Sequence, residues 1–375
     1  MSRVTIVQRV LPHYRLSLFD KLNELLADGG IEMALVYGQE RTGTVPKTVP
    51  INRVWAHRIE NVYLPLFGAE IVWQPLPSSF GRSDLLIVEH ASRLMLNSWL
   101  LLARKWSNTK IAFWGHGVNF QNKDARSLAS LCRSSLARRA DWWFAYTELS
   151  AKCVADQGYP IENITTLNNA IDTGELAEAR SMISDNCIEE LRNQLGIVGS
   201  NIAIYCGGLY ENKRISFLLE ACRHVRSKLS DFHLILIGDG PDRRLIEKTS
   251  KQYSWVHYVG PKFGTDRVPY FALSKVMLMP GMVGLAIVDS FVLGTPLLTT
   301  DNGIHSPEIA YLKNNSNGVM TENNVESYSG AVIEVLRRQD LHSALVDGCV
   351  RSSALYSVDQ MAQRFAKGIG QCLKA

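Results

Sequence analysis

Residues 280–300 read PGMVGLAIVDSFVLGTPLLTT, and this stretch indicates how the C-terminal half of the chain folds. Gly281 and Gly284 lie in a turn that follows the apolar run VMLMP. The residues after the turn have helical spacing, and TPLLTT is a short apolar run that predicts a strand. Two consecutive strands joined by a helix predict a parallel pair, because a parallel connection needs a crossover. The stretch therefore predicts an α/β unit.

The same alternation of short apolar runs and helical periods extends outward from this stretch. It recurs in the C-terminal half at NIAIYCGGL, FHLILIGDGP and WVHYVG, and in the N-terminal half at VTIVQRV, IEMALVYG, DLLIVEH and KIAFWGHG. Alternating strands and helices predict parallel sheets covered by helices. We therefore expect an α/β fold of two Rossmann-like domains whose sheets face a central cleft.

The domain boundaries follow from this pattern. We expect an N-terminal domain over residues 1–175, a C-terminal domain over residues 176–355, and a terminal amphipathic helix over residues 356–375. The terminal helix could belong to either domain, and packing on the N-terminal domain is one arrangement. The stretch GELAEARSMISDNCIEELRNQLGI is expected to form one polar helix between the domains.

Length and charge set limits on function. The chain has 375 residues, which favours two domains, and its formal charge is +4. Residues 1–170 hold 19 Lys and Arg against 14 Asp and Glu, hence +5, and the remainder holds 21 against 22, hence −1. This mild N-terminal excess fits an anionic ligand or a membrane surface better than nucleic acid.

Cysteine usage and the N-terminal stretch indicate a cytoplasmic protein. The seven cysteines form no C-x-x-C pair, and several lie in apolar runs, so we expect reduced core thiols. The N-terminal stretch lacks the apolar core of a signal peptide, and no apolar run is long enough to span a membrane. The alternative location is the inner face of the cytoplasmic membrane.

The motifs of the C-terminal half resemble those of a known enzyme family. YCGGLYENKR, IGDGP, YVG and the stretch at residues 280–300 occur in the order typical of GT-B glycosyltransferases, and specifically of retaining glycosyltransferase family 4, the group 1 glycosyltransferases. PHYRLSLFDKL, FWGHG and NNAIDT resemble elements of a bacterial subset. The resemblance implies transfer of a sugar from a nucleoside-diphosphate sugar to a hydroxyl acceptor, with retention of configuration.

The resemblance also implies how the donor is bound. Lys213 falls on the lysine that binds the donor phosphates, and a departing diphosphate calls for such a fixed cation. Gly208 stands where the family often has an arginine, and Arg214 is expected to supply the second charge. Asp239 and Gly240 are expected in a strand-end turn beside the donor, since IGDGP lacks the third glycine of a dinucleotide fingerprint.

Two positions of the stretch at 280–300 depart from the family. The family often carries Glu-x7-Glu, and those positions are Gly281 and Asp289 here. Asp289 retains a carboxylate that can accept hydrogen bonds from the ribose hydroxyls, whereas Gly281 has none. Gly284 and Leu285 open the following helix, where backbone N–H groups point toward a ligand.

Several polar residues are candidates for the catalytic site, the acceptor site or the cleft. His116 matches a histidine that contacts the donor sugar in many family members, and its alternative role is to bridge two loops. His13 and Arg15 follow the first strand and are expected to contact the acceptor. His305 and Glu308 could contact the donor sugar or pin a loop, and Asn169 could bind substrate or fix the hinge.

No metal or cofactor is expected, because no two aspartates stand two apart as in the D-x-D clamp of metal-dependent transferases. The expected partners are a nucleotide sugar and a saccharide or lipid-linked acceptor. The basic stretch from Ala125 to Ala140, with Trp142 and Trp143, could rest on an anionic membrane or form an ordinary helix face over core tryptophans. A GT-B epimerase or phosphorylase, or a degenerate sugar-nucleotide-binding protein, is the alternative function.

Overall fold

A computed structural model describes residues 1–41, 51–66, 69–80, 82–91, 93–103, 108–117 and 138–375. It divides into two compact units, of which unit 1 comprises Met1–Asp172 with Val358–Ala375 and unit 2 comprises Thr173–Ser357. The boundary lies three residues before the predicted one, and the terminal helix belongs to unit 1. Residues 125–137 of the predicted basic helix lie outside the described residues, and residues 138–140 form a turn.

Unit 1 is built on a parallel sheet. Its described strands lie in the order β3-β2-β1-β6-β7-β8-β9, and every neighbouring pair is parallel. A separate antiparallel hairpin is formed by β4 and β5. The strands are β1 (Ser2–Gln8), β2 (Ile31–Tyr37), β3 (Ala56–Arg58), β4 (Val62–Leu66), β5 (Ala69–Trp73), β6 (Leu85–Glu89), β7 (Lys110–Gly115), β8 (Trp142–Ala145) and β9 (Ile164–Thr166).

The helices of unit 1 cover both faces of this sheet. Within the described residues they are α1 (Leu16–Asp28), α2 (Met95–Ala103), α3 (Glu148–Asp156) and, 202 residues later in the chain, α12 (Val358–Lys374). α12 packs against α1, and its apolar face joins the core under β1 and β7. α2 and α3 border the second core, on the opposite face of the sheet.

Unit 2 is built on a second parallel sheet in the order β12-β11-β10-β13-β14-β15. The strands are β10 (Asn201–Cys206), β11 (Phe232–Ile237), β12 (Val256–Tyr258), β13 (Val276–Leu278), β14 (Leu297–Thr300) and β15 (Gly318–Thr321). The helices are α4 (Gly174–Met182), α5 (Asp185–Leu195), α6 (Ile215–Lys228), α7 (Arg243–Gln252), α8 (Val268–Leu273), α9 (Ala286–Val292), α10 (Val325–Arg337) and α11 (Gln339–Leu355).

The expected single helix before β10 is wrong, because the chain forms α4 and α5 there. Ile183 adopts an extended conformation with φ −64° and ψ 120°, which ends α4. The Ser184 hydroxyl then accepts a hydrogen bond from the Cys187 N–H at 3.3 Å and caps α5. None of the helices in the described ranges is both long and apolar enough to cross a bilayer.

Cysteines within the described ranges are all free thiols, at positions 153, 187, 206, 222, 349 and 372. Four of them, Cys206, Cys222, Cys349 and Cys372, are buried in the cores. Burial raises the pKa of Cys206 to about 11, which keeps this thiol protonated at neutral pH.

Each sheet reverses its strand order next to its first strand. In unit 1 the reversal lies between β1 and β6, and in unit 2 it lies between β10 and β13. When only the strands of each parallel sheet are counted, both orders begin 3-2-1-4-5-6, which is the order of the dinucleotide-binding Rossmann sheet. Ligands of open α/β sheets bind beyond the carboxyl ends of the strands at this point. A ligand of unit 2 is therefore expected to bind at the two loops that follow β10 and β13.

Candidate functional site

Lys213 is a buried cation at the reversal point of unit 2. It ends a short turn after β10, two residues before the first residue of α6, and only 9% of the residue is exposed. Its Nζ donates a hydrogen bond to the carbonyl of Met282, in the loop after β13, at 2.5 Å. No carboxylate of the described residues lies within 4.0 Å of Nζ, and burial lowers the pKa of Lys213 to about 8. Because an unpaired buried ammonium is costly, this arrangement favours binding of an anion.

Gly281 allows the loops after β10 and β13 to touch. A Cβ atom at Gly281 would lie 2.4 Å from the Asn212 carbonyl oxygen and 2.5 Å from the Lys213 Cα, closer than real Cβ contacts allow. The neighbouring Met282 N–H donates to the same Asn212 carbonyl at 2.8 Å. A glutamate at this position, as the family often has, would not fit this packing. The absence of a glutamate side chain at position 281 thus accompanies the close packing of Gly281 against the backbone of Asn212 and Lys213.

His305 pins the loop that carries Gly281. Its Nδ1 accepts a hydrogen bond from the Val283 N–H at 3.1 Å, so Nε2 carries the proton and donates to the Thr300 carbonyl at 2.7 Å. Both ring nitrogens are used by backbone groups, which favours the loop-pinning role over sugar contact. Burial lowers the pKa of His305, and the hydrogen bond to Thr300 opposes this shift. Glu308 is buried just beyond, in the turn Pro307–Tyr311.

Arg214 follows Lys213 but extends toward β14. It adopts a left-handed conformation with φ 57°, and its guanidinium lies 4.2 Å from the centre of the Phe217 ring. Nη1 donates to the Thr300 hydroxyl at 3.3 Å and to the Asn323 side chain. The structure thus places this cation at the carboxyl ends of β14 and β15, and its role as a second phosphate-binding charge stays a prediction.

Asp289 forms an ion pair that the sequence did not reveal. Arg267 Nη1 and Nη2 donate to its two carboxylate oxygens at 2.7 and 3.1 Å, and Asp289 is buried in α9. Burial raises the pKa of Asp289, and the Arg267 guanidinium opposes this shift. Arg267 lies in an unrelated turn 22 residues earlier, so no motif signals the pair. Contact of Asp289 with a ribose stays a prediction, and it requires an oxygen that already binds Arg267 to accept a further hydrogen bond.

Tight turns surround the remaining predicted donor residues. Gly240 has φ 151°, and a Cβ there would lie 2.5 Å from the Leu209 carbonyl oxygen. Asp239 is exposed, and its Oδ1 accepts from the Gly240 N–H at 2.9 Å, as expected of a turn residue. The Tyr205 hydroxyl donates to the Gly208 carbonyl at 2.6 Å. Gly284 and Leu285 lead into α9, and a Cβ at Gly284 would meet only ordinary contacts.

Three predicted residues of unit 1 meet around Tyr146, at the carboxyl end of β8. The His116 ring lies 4.4 Å from the Tyr146 ring, and the Arg15 guanidinium lies 5.4 Å from it. The Asn169 N–H donates to the Tyr146 carbonyl at 2.7 Å. Arg15 is buried and also lies over Trp114, whereas His13 is exposed.

Glu89 is a further ionisable group at the reversal point of unit 1, and no motif pointed to it. It ends β6 opposite Trp114 of β7. Burial raises its pKa to about 7, against the lowering effect of Arg9 and Arg15. The neighbouring His90 has a pKa lowered to about 4, mainly by burial. A carboxyl group that titrates near neutral pH is typical of functional sites.

Trp142 and Trp143 are buried side chains of unit 1. They are 5% and 2% exposed and belong to the two cores of unit 1. The Trp142 indole N–H donates to the Thr165 hydroxyl at 2.8 Å, which fixes it inside the sheet. The structure thus contradicts the membrane role for these side chains and supports the interpretation as core tryptophans.

A parallel sheet in the order 3-2-1-4-5-6, with glycine-containing turns and a buried cation at its reversal point, defines a Rossmann-type unit. Residues 200–338 match the family described as glycosyl transferases group 1. This part of the chain is thus similar to the family that its motifs predicted.

Two curated relatives share 22% identity with this chain. A 2-deoxystreptamine N-acetyl-D-glucosaminyltransferase of Niallia circulans aligns over 149 residues, 37% of this chain and 36% of that protein. A Salmonella typhimurium glycosyltransferase, provisionally named for colanic acid biosynthesis, aligns over 242 residues, 61% of this chain and 55% of that protein. The chain thus spans between a third and about half of the length of these relatives.

Two solved structures share the fold over nearly the whole chain. The crystal structure of Anabaena HepE in complex with UDP has a TM-score of 0.69 at 13% identity, covering 99% of this chain and 100% of that one. A lipopolysaccharide outer core galactosyltransferase, WaaB, has a TM-score of 0.66 at 12% identity, covering 98% and 99%. The predicted GT-B fold is confirmed, whereas the assignment to family 4 stays a prediction.

Proposed function

We propose that this chain is a retaining, metal-independent hexosyltransferase. It would move a sugar from a nucleoside-diphosphate sugar to a hydroxyl of a saccharide or lipid-linked saccharide, in bacterial cell-surface polysaccharide synthesis. The observation that carries the proposal is Lys213, a buried ammonium with no carboxylate within 4.0 Å among the described residues, at the reversal point of unit 2. The UDP complex of HepE and the names of the relatives support the donor class and the setting.

The proposed reaction uses Lys213 on the leaving group. The bond between the anomeric carbon and the β-phosphate oxygen breaks, and the acceptor oxygen bonds to the same face of that carbon. The acceptor proton passes to a β-phosphate oxygen, so no protein nucleophile is needed. Lys213 stabilises the charge that develops on the departing diphosphate, which is the kind of electrostatic contribution that lowers barriers most. His116 is the proposed contact to the donor sugar.

A set of Lys213 variants tests this proposal. The full chain is incubated with UDP-, GDP- and ADP-sugars and a panel of saccharide and lipid-linked acceptors, and UDP binding is followed by thermal shift. Lys213→Ala is expected to lower kcat/KM about 100-fold or more, the size of effect that follows loss of one hydrogen-bond donor to a developing negative charge. Lys251→Ala, at an exposed position of α7, is the matched control and is expected to behave as wild type.

Two outcomes would overturn the proposal. Wild-type turnover by Lys213→Ala would remove the phosphate role of this residue. Epimerised donor in the absence of acceptor, or nucleotide binding without turnover on any acceptor, would replace transfer by one of the alternative functions. An NMR spectrum of the product decides the anomeric configuration, and inversion would refute the retaining mechanism.

A further inference from the structure

Arg15 is a buried cation at the carboxyl edge of the sheet of unit 1. It ends the turn between β1 and α1, and only 5% of the residue is exposed. No carboxylate oxygen of the described residues lies within 4.0 Å of its guanidinium. Glu89, at the end of β6, interacts with Arg15 through charge alone and not through a hydrogen bond. Arg15 is therefore buried without an ion-pair partner from the described part of the chain.

Aromatic rings lie around the guanidinium instead of a carboxylate. The guanidinium carbon lies 5.2 Å from the centre of the Trp114 ring, 5.4 Å from that of Tyr146 and 5.5 Å from that of Tyr14. Such rings attract a cation, but they do not take up its N–H donors as a carboxylate does. This arrangement offsets part of the cost of burying the charge and leaves the donors available to a ligand.

Most donors of Arg15 have no acceptor among the described residues. Nη1 donates to the Met361 Sδ at 3.8 Å, and a thioether is a weak acceptor. No hydrogen bond joins Nε or Nη2 to a described residue. The buried indole N–H of Trp114, in the same cluster, also lacks an acceptor in the described ranges. Because buried donors are normally satisfied, this surplus favours a ligand that supplies acceptor oxygens.

The place of Arg15 in the sheet also favours a ligand. The strand order of unit 1 reverses between β1 and β6, and Arg15 lies in the loop that follows β1. Trp114 lies near the end of β7 and Tyr146 directly follows β8, so both come from the same edge of the sheet. This edge, at the reversal point, is where open α/β sheets bind ligands. A planar guanidinium matches the two oxygens of a phosphate or carboxylate group.

We propose that Arg15 binds an anionic group, a phosphate or a carboxylate, of the hydroxyl acceptor. The inference rests on the proposed function in one respect, which is that the ligand of unit 1 is the acceptor. It names the substrate class as a negatively charged saccharide, either a sugar that carries a phosphate or an acidic sugar. The excess charge of residues 1–170, +5, has the sign that such a substrate requires.

Binding of three small saccharides tests the proposal without any turnover being measured. The full chain, saturated with UDP, is titrated by calorimetry with glucose, with glucuronate, which carries a carboxylate, and with glucose 1-phosphate, which carries a phosphate. We expect at least one of the two anions to bind about tenfold more tightly than glucose, as charge-assisted hydrogen bonds allow. The anion that binds more tightly distinguishes the acidic sugar from the sugar phosphate.

Matched variants assign the binding to Arg15. Arg15→Met keeps apolar contact with the rings and is expected to bind the anions no more tightly than glucose. Arg15→Lys keeps the charge without the planar fork and should weaken anion binding while leaving glucose binding unchanged. Arg82→Met, in an exposed turn before β6 and thus at the opposite edge of the sheet, should bind all three compounds as wild type does. Near-UV circular dichroism checks that each variant keeps its aromatic packing.

Three outcomes would overturn the proposal. The first is a wild-type protein that binds neither anion more tightly than glucose, a result that needs no variant to fold. The second is a folded Arg15→Met variant that keeps the wild-type preference for anions. The third is a preference that disappears in Lys213→Ala, because the anions would then bind in unit 2. Absence of UDP binding would count against the proposed function alone, and titration of Lys213→Ala without UDP would still report on Arg15.

Discussion

At the scale of single residues, Asp289 has a partner in the fold, Arg267, and is also the residue expected to bind the ligand. The Asp289 carboxylate is buried in α9, and each of its oxygens accepts a hydrogen bond from the Arg267 guanidinium. The resemblance to the family assigns this position to the ribose, whereas the structure uses it to anchor the turn before α8. Stability and nucleotide binding can be separated by removing first one partner and then both.

Removal of the Arg267 guanidinium should destabilise unit 2. Arg267→Met leaves Asp289 buried without its partner, and we expect the free energy of unfolding to fall by about 3–5 kcal/mol at pH 7 in urea titrations. Burial already raises the pKa of Asp289, and loss of the guanidinium raises it further. In the Arg267→Met variant, protonation of Asp289 at lower pH removes the unpaired buried charge. The decrease in the free energy of unfolding should therefore be smaller at pH 5 than at pH 7.

The double variant Arg267→Met with Asp289→Leu should recover most of this stability, since no charge remains buried. If Asp289 also binds ribose, the recovered protein will show a smaller thermal shift with UDP than wild type. A single variant as stable as wild type would show that the pair contributes nothing to the fold. A full UDP shift in the double variant would limit Asp289 to its structural role.

At the scale of elements, the edge strand β12 and its neighbour β11 carry a histidine pair, in which His233 is buried and His257 is partly buried. His233 Nδ1 and His257 Nε2 share one hydrogen bond at 2.9 Å, and the rings stack with centroids 5.1 Å apart. Burial lowers the pKa of both, and that of His257 falls to about 4 because a charge on His233 adds to the effect. The folded unit thus binds fewer protons than the unfolded chain between pH 6.5 and 4.

This pair predicts acid sensitivity of unit 2. Its stability should be complete above pH 6.5 and fall as the pH decreases toward 4, with a slope of up to about 1.4 kcal/mol per pH unit for each histidine. His257→Phe keeps a ring in the stack and should flatten this slope in urea titrations at pH 7.5, 6 and 5. His224→Phe, at an exposed position of α6, should keep the wild-type slope. An unchanged slope in His257→Phe would contradict the assignment.

The elements also show what the sequence can reveal. Apolar runs and helical periods predicted the parallel sheets, because they depend on local patterning. The same patterning did not show that Ile183 breaks the helix before β10, since a single extended residue leaves the periodicity intact. The motif located Lys213, but it did not show that Gly281 packs on its backbone or that His305 holds the loop. Those facts, like the partner of Asp289, depend on contacts between residues far apart in sequence.

At the scale of the whole molecule, the helix α12 belongs to unit 1, although it follows unit 2 in the sequence. α12 buries Met361, Phe365 and Ile369 in the core next to α1. The Phe365 ring lies 5.0 Å from that of Trp114 and 4.6 Å from that of Phe144. At the edges, Lys21 pairs with Asp359 at 2.5 Å, and Lys110 donates to the carbonyl of Cys372 at 2.8 Å.

Removal of α12 should therefore damage unit 1 and spare unit 2. A chain that ends at Ser357 lacks the apolar cover of α1 and β7, and loss of one large core side chain already costs about 3–5 kcal/mol. We expect hydrogen exchange to show lost protection in β1, β6 and β7 and retained protection in β10, β11 and β13. The UDP shift should persist, because the residues around Lys213 all lie in Thr173–Ser357. Phe365→Ala in the full chain is the milder control and should weaken the same strands of unit 1. Retained protection of β1 and β6 in the shortened chain would show that unit 1 is stable without its terminal helix.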